Sequence, residues 1–177
     1  KDLDIATVDA TNPFGNRRLI PRGILREPVT SLKRADIVIL TKTNLQAGNL
    51  GLSNYLKRIN PSAVIYQSIH KPIGFYKINK PRELLSPQDF KGKPVTLFSG
   101  IGDPASFENL VSSLGIKIGL SFRFRDHNDY TQSDLDNIAG DSQNKGINII
   151  VTTEKDAARL EGLNCGLELL VLRITPE

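Results

Sequence analysis

Short apolar runs alternate with helix-like segments along the whole chain. The runs cover residues 5–9, 37–41, 63–68, 95–99, 118–124, 147–152 and 167–173. Each is rich in Val and Ile and apolar on both alternating faces, the pattern of strands covered by helices on two sides. Helix-like segments lie at 29–35, 52–59, 104–114, 133–143 and 154–160. Asp103 before Pro104 supplies an N-cap followed by proline at the first helical position. Thr153 and Asp156 have the spacing of a capping box, with Asp in place of Glu. The β-α-β alternation predicts an α/β fold of mostly parallel sheets sandwiched by helices, with right-handed crossovers. The rhythm breaks after His70. Pro72, Pro81 and Pro87 and the amphiphilic run 73–78 predict a ribbon-like linker over 71–92. Residues 1–70 then read as the tail of one lobe, and residues 93–177 as a second, smaller α/β lobe.

Composition narrows the class. The 177 residues are 39% hydrophobic and 24% charged, the balance of a soluble globular protein. No apolar run approaches the ~20 residues that span a bilayer, and no signal-peptide pattern opens the chain. It starts at Lys1 and contains no Met, so a piece of a longer protein is expected. The single Cys165 excludes an internal disulfide and reads as a small structural residue in a turn. The net charge of +4 suits an anionic partner. Positive charge is dense from Arg17 to Arg34, and residues 126–141 are mostly acidic. Aromatics are only 6%, with no stacking platform or zinc pattern beside the arginines, which argues against nucleic acid.

Four segments carry candidate chemistry, each where an apolar run ends. The loop after Asp9 holds three prolines and two glycines, so it is not one regular element. It carries Arg17, Arg18, Arg22 and Arg26 against one acid, Glu27. A loop at the carboxyl end of a strand is where an open α/β sheet binds ligands, and the guanidinium fork suits phosphate. Arg26, next to a helix start predicted at Pro28, is the best candidate to share an anion with a helix amino terminus. A solvated basic connection is the plain alternative. The second segment, 98–104, places Ser99, Gly100 and Gly102 in a glycine-rich turn that can offer backbone N–H groups to phosphate. It is neither a G-x-G-x-x-G nor a Walker A loop, and a simple strand-to-helix turn competes with that reading.

The third segment is Arg125-Asp-His-Asn-Asp-Tyr130. His127 beside Asp126 on a strand-end loop can move protons near neutral pH. A turn held by Asp and Asn side chains is the alternative. Asp126, His127 and Asp129 would share a metal only across a tight turn, because successive residues of an extended chain point to opposite faces. The fourth is 151–160, where Thr152 and Lys155 face the strand's carboxyl end and can line a cleft, or merely cap a helix. Asp9 ends its strand as a Walker B acid does, but that pattern is common in α/β proteins. His70 reads as structural, and no metal site is assigned. Beside a catalytic reading stand a non-catalytic lobe binding an anionic ligand and a metal-dependent phosphoesterase using Asp126, His127 and Asp129.

Together these blocks resemble the tetraacyldisaccharide 4'-kinase family of the lipid A pathway. The family stretch P-F-G-N-G-R-L-L-P-x-G-x-L-R-E-P is similar to Pro13-Phe-Gly-Asn-Arg-Arg-Leu-Ile-Pro-Arg-Gly-Ile-Leu-Arg-Glu-Pro28. R-A-D matches Arg34 to Asp36, and [AS]-G-I-G-x-P-x-x-F matches Ser99 to Phe107. F-x-D-H-x-x-Y matches Phe124 to Tyr130, and T-T-E-K-D-A-x-R-L matches Thr152 to Leu160. The resemblance implies a P-loop-kinase-like three-layer fold in which residues 1–70 are the C-terminal part of the kinase core. It implies transfer of the γ-phosphoryl of ATP to the 4'-hydroxyl of a tetraacyldisaccharide 1-phosphate, with Mg2+. It also implies a monomer at the cytoplasmic face of the inner membrane, acting on an anionic glycolipid. His127, with Asp126 orienting it, and Arg26 inherit catalytic roles. Arg17, Arg18, Arg22, Ser99, Gly100, Gly102, Thr152 and Lys155 become candidates for binding substrate or phosphate. The family's P-loop, its catalytic aspartate and its D-D-G-x-Q-H block have no counterpart in this sequence. ATP and Mg2+ are therefore expected to be held mostly by residues outside it, and this piece is expected to be soluble and inactive alone. Arg17 stands where the family usually has Gly, and Asn128 where a second histidine is usual.

Overall fold

The computed structural model describes residues 2–45 and 49–177. They form two compact units, Lys1–Lys71 with Pro176–Glu177, and Pro72–Thr175.

The first unit contains β1 (Ile5–Asp9), a 3-10 helix (Val29–Arg34), β2 (Ile37–Thr41), a 3-10 turn (Thr43–Leu45), α1 (Asn49–Ile59) and β3 (Val64–Gln67). The strands form a parallel sheet in the order β1-β2-β3, with Ile5 beside Ile37 and Ile37 beside Val64. Alternation divides their side chains between two faces. Val8, Val38 and Leu40 join Leu56 of α1 and Phe14 of the arginine loop in the core, with Val29 and Leu32 packed against it. Ile5, Val64 and Tyr66 lie on the opposite face and are about half exposed. The segment 29–35, predicted as a helix, is the short 3-10 element. Its Val29 and Leu32, three apart, fall on one side at three residues per turn.

Asn60 ties this unit together. Its Nδ2 donates to the carbonyls of Leu32 (3.0 Å) and Ala35 (2.8 Å), and its Oδ1 accepts from the N–H groups of Ser62 (3.2 Å) and Ala63 (3.1 Å). The residue is buried. Asn60→Ala leaves these backbone groups unpaired and is expected to lower the unit's stability by about 2–4 kcal/mol, read from urea denaturation. An unchanged denaturation midpoint would refute that role.

The second unit is a five-stranded sheet in the order β4-β8-β7-β5-β6. Its elements are β4 (His70–Lys77), β5 (Pro94–Ser99), α2 (Pro104–Ser113), β6 (Lys117–Arg123), α3 (Gln132–Asn144), β7 (Ile149–Thr153), α4 (Glu154–Ala157) and β8 (Glu168–Pro176). β6, β5, β7 and β8 pair in parallel. Leu135, Ile138 and Ala139 of α3 pack on Phe98, Ile150 and Leu169, while Val95 and Leu97 point to the other face. The chain steps from β5 to β6 on one side, then crosses back to β7 on the other. That reversal makes the carboxyl ends of β5 and β7 a switch point, where such sheets open a ligand crevice.

The stretch 71–92, expected as a linker, holds most of β4 and a 3-10 turn at Pro87–Phe90. β4 is an edge strand, which accommodates Pro72 because its missing N–H need not enter the ladder. The helix predicted over 154–160 stops at Ala157. From Arg159 the bonds tighten to three-residue turns, Arg159 N–H to Asp156 O and Leu160 N–H to Ala157 O. Among the described residues no helix is long and apolar enough to cross a membrane.

Candidate functional site

At the switch point of the second unit, the loops after β5, β6 and β7 meet on one carboxylate. Asp156 is fully buried (0% exposed). Its Oδ1 accepts the Gly100 N–H at 3.0 Å and the Tyr130 hydroxyl at 2.9 Å, and its Oδ2 accepts the Thr153 hydroxyl at 2.7 Å. The Arg159 Nη1 lies 3.7 Å from Oδ1. A buried carboxylate is stable only when its lone pairs are occupied, and here three segments occupy them. Burial, then the negative charge of Asp156, pushes the Tyr130 phenol far above its usual range.

Gly100 joins two of these segments. Its N–H binds Asp156, and its carbonyl accepts the His127 N–H at 3.1 Å. A Cβ at Gly100 would lie 2.8 Å from the Arg125 carbonyl and 2.9 Å from the Tyr130 hydroxyl, so only glycine fits. Asn128 N–H closes a tight turn onto Arg125 O, with His127 in the left-handed region at φ 61°. The imidazole is 79% exposed. Its Nδ1 lies 2.8 Å from Arg159 Nη2, whereas Asp126 Oδ1 lies 4.0 Å from Nε2. Arg159, which sequence reasoning passed over, therefore holds the ring where Asp126 was expected to. Its signal was the three-residue spacing from Asp156.

The other predicted residues separate into exposed and buried. Gly102 and Lys155 are exposed around this crevice. Ser99 is buried, and the Thr152 hydroxyl, predicted to line a cleft, donates to Phe98 O at 3.0 Å and ties β7 to β5 instead. Tight as the turn at 125–128 is, Asp126, His127 and Asp129 do not gather. Among the described residues no three His, Cys, Asp or Glu side chains could hold a metal. Cys165 is partly buried against the α3 core, which pushes its thiol up.

In the first unit, the loop between Asp9 and the 3-10 helix is prefolded. Asn16 accepts the Arg18 N–H (3.1 Å) and donates to Arg22 O (2.7 Å). A Cβ at Gly23 would lie 2.1 Å from Arg18 O, so the turn requires glycine. Phe14 anchors the loop against Tyr55 with ring centroids 5.7 Å apart, and the Arg17 guanidinium lies 5.5 Å from the same ring. Glu27 accepts both short bonds, 2.7 and 2.6 Å, from Arg34 Nη2, which holds its carboxyl below the usual range. That leaves Arg17, Arg18, Arg22 and Arg26 exposed, with no carboxylate partner among the described residues. The helix terminus expected to assist Arg26 is a six-residue 3-10 turn without a side-chain cap, so its dipole is too short to act with it. A cavity of about 290 Å³ follows the edge strand β1, lined by Ile5, Thr7, Phe14, Leu25 and Leu32 but by none of these four arginines.

Asp9 bonds Lys42 Nζ at 2.6 Å and the Thr11 hydroxyl at 2.6 Å. Burial raises its carboxyl, but Lys42 and Thr11 outweigh that and leave it below the usual range. With its oxygens engaged, it is not a magnesium ligand in this arrangement. Among the described residues no cluster of His, Cys, Asp or Glu fits that ion. The His70 backbone is bracketed by the Asn44 amide, in keeping with a structural role.

The family model for LpxK, tetraacyldisaccharide-1-P 4'-kinase, matches residues 1–177. A tetraacyldisaccharide 4'-kinase of Desulfatibacillum aliphaticivorans is 35% identical over 185 residues, covering 100% of this chain and 48% of that protein. One from Anaeromyxobacter sp. strain K is 36% identical over 162 residues, covering 91% and 43%. The crystal structure of "apo" form LpxK from Aquifex aeolicus in complex with ATP shares the fold, with a TM-score of 0.60 at 24% identity over 100% of this chain and 48% of that one. The chain spans about half the length of the curated relatives it matches. It belongs to the tetraacyldisaccharide-1-P 4'-kinase family.

Proposed function

We propose that the protein of which this chain is part transfers the γ-phosphoryl group of ATP to the 4'-hydroxyl of a tetraacyldisaccharide 1-phosphate, a step of lipid A biosynthesis. Family membership gives the reaction class. The observation that carries the reading is the interlocking of three strand-end loops on Asp156, which presents His127 at the switch point. Phosphoryl transfer asks a protein mainly to position groups and neutralise charge. His127 contacts the reacting groups through its exposed Nε2 edge. Arg26 neutralises phosphate charge, free of any carboxylate among the described residues. Arg17, Arg18 and Arg22 attract the anionic glycolipid, and Gly102 and Lys155 contact phosphate beside His127. An acylated acceptor draws the intact enzyme to a membrane surface, which we take as the cytoplasmic face of the inner membrane. Magnesium supplies charge neutralisation when bound, from ligands other than those described here.

The test is the intact protein with ATP and tetraacyldisaccharide 1-phosphate. The expected product carries a new phosphate at the 4' position, and its absence would end the reading. Arg26→Ala is expected to lower kcat/KM on the order of 10–10²-fold, the worth of one charge-assisted contact. Arg26→Lys should recover only part, because a point charge does not reproduce the fork. An unaltered kcat/KM in Arg26→Ala would take this residue out of the mechanism.

A further inference from the structure

We infer that Asp156 and Arg159 are a positioning pair that sets the tautomer of the His127 ring, with Nδ1 accepting from Arg159 and the hydrogen on Nε2, so that the ring turns a donor, not a base, toward the reacting groups. This rests on the kinase reading for its consequence in turnover, but its structural content stands apart from it.

Little else fixes the ring. With 79% of its side chain exposed, packing does not select one orientation. The backbone anchor, His127 N–H to Gly100 O, sets where the side chain leaves the chain but not which nitrogen carries hydrogen. The 2.8 Å contact between Arg159 Nη2 and His127 Nδ1 does. A guanidinium has only donors and keeps its charge, so Nδ1 must be the acceptor. An acceptor Nδ1 leaves the single hydrogen of the neutral ring on Nε2. Two charged groups reach the ring, Arg159 from the turn after α4 and Asp126 from its own loop. Asp126 at 4.0 Å is beyond hydrogen-bond length.

Arg159 is itself constrained. Its residue sits one turn after Asp156, with its N–H on Asp156 O at 2.8 Å and its Nη1 3.7 Å from Oδ1. Asp156 is fixed in turn by Gly100, Tyr130 and Thr153. The orientation of an exposed imidazole is thus referred to a buried carboxylate through one guanidinium, as second ligands orient a catalytic histidine elsewhere. A neutral imidazole donating from Nε2 stabilises negative charge on a transferring phosphoryl oxygen, or orients the acceptor hydroxyl, without taking its proton.

The test uses the intact kinase with 15N-labelled histidine, His127 being assigned by its substitution. At a pH where the ring is neutral, the parent is expected to show Nδ1 unprotonated and Nε2 protonated as one species. Arg159→Ala should show the two tautomers exchanging, and Arg159→Gln, whose amide keeps a donor, should restore the parent spectrum at least in part. A parent with hydrogen on Nδ1, or an Arg159→Ala spectrum identical to the parent, would overturn the proposal. In turnover, Arg159→Ala should lower kcat on the order of 10-fold with little change in KM, but less than about 3-fold further in a His127→Ala background, because a residue acting through the ring has nothing left to act on. Full additivity would overturn it. Absence of all kinase activity would refute the proposed reaction while the spectra still decide the tautomer.

Discussion

His127→Ala in the intact protein, assayed for the proposed transfer, is expected to lower turnover by ~10²–10⁴-fold, the range for losing a positioned proton-transfer or donor group. In the proposed role, where the ring meets the reacting groups rather than the bulk of either substrate, the loss should fall on kcat. Two structural effects need separating from it. The imidazole is largely exposed, so removing it opens no cavity. The backbone at φ 61° tolerates His better than Ala, so alanine strains the turn that ends on Gly100. His127→Gly relieves that strain while still deleting the ring. Equal loss in both variants assigns the effect to the imidazole. Turnover within about 3-fold of the parent in either variant lies far below the expected range and would remove His127 from the chemistry.

The sequence revealed strands and chemistry more readily than connections. The apolar runs became strands because burial on two faces leaves a continuous signal, as in 95–99 and 147–152. β4 was hidden by the reverse case. It is an edge strand containing Pro72 and Gly74, both of which read locally as breaks. His127 was singled out by residue type and by its place just after a strand, and Arg26 by the charge of its loop, and both roles stand as proposals. Asp156 was legible only as a helix cap. Thr153 does cap α4 through the Asp156 N–H, at 3.2 Å. The full reciprocal box is at Thr131 and Asp134, where the same T-x-x-D pattern stays at the surface. What distinguishes Asp156 is its partners 26 and 56 residues away, Tyr130 and Gly100. No local spacing encodes contacts at that separation. Ser99 and Thr152 show the converse. Polar residues at strand ends looked like cleft residues, but they point into the sheet's own packing.

Asp156→Ala is expected to be the most destabilising single change in the second unit, by about 3–5 kcal/mol, the cost of breaking a buried charged network from one side. The substitution leaves the Gly100 N–H and the Tyr130 and Thr153 hydroxyls without their acceptor, and Arg159 without its counter-charge. Asp156→Asn keeps one acceptor oxygen and should cost less. Tyr130→Phe removes one donor and should cost about 1–3 kcal/mol. The same bond predicts an alkaline signature. The Tyr130 phenol is raised in the folded state, by burial first and by Asp156 second. Its contribution is therefore complete below the ordinary tyrosine value of about 10 and declines as pH rises past it, because the unfolded chain releases the proton that the native state retains. Urea denaturation of the second unit should accordingly show a steeper alkaline loss in the parent than in Tyr130→Phe. Identical alkaline profiles, or an Asp156→Ala unit as stable as the parent, would mean that the three loops are held together by something other than this carboxylate.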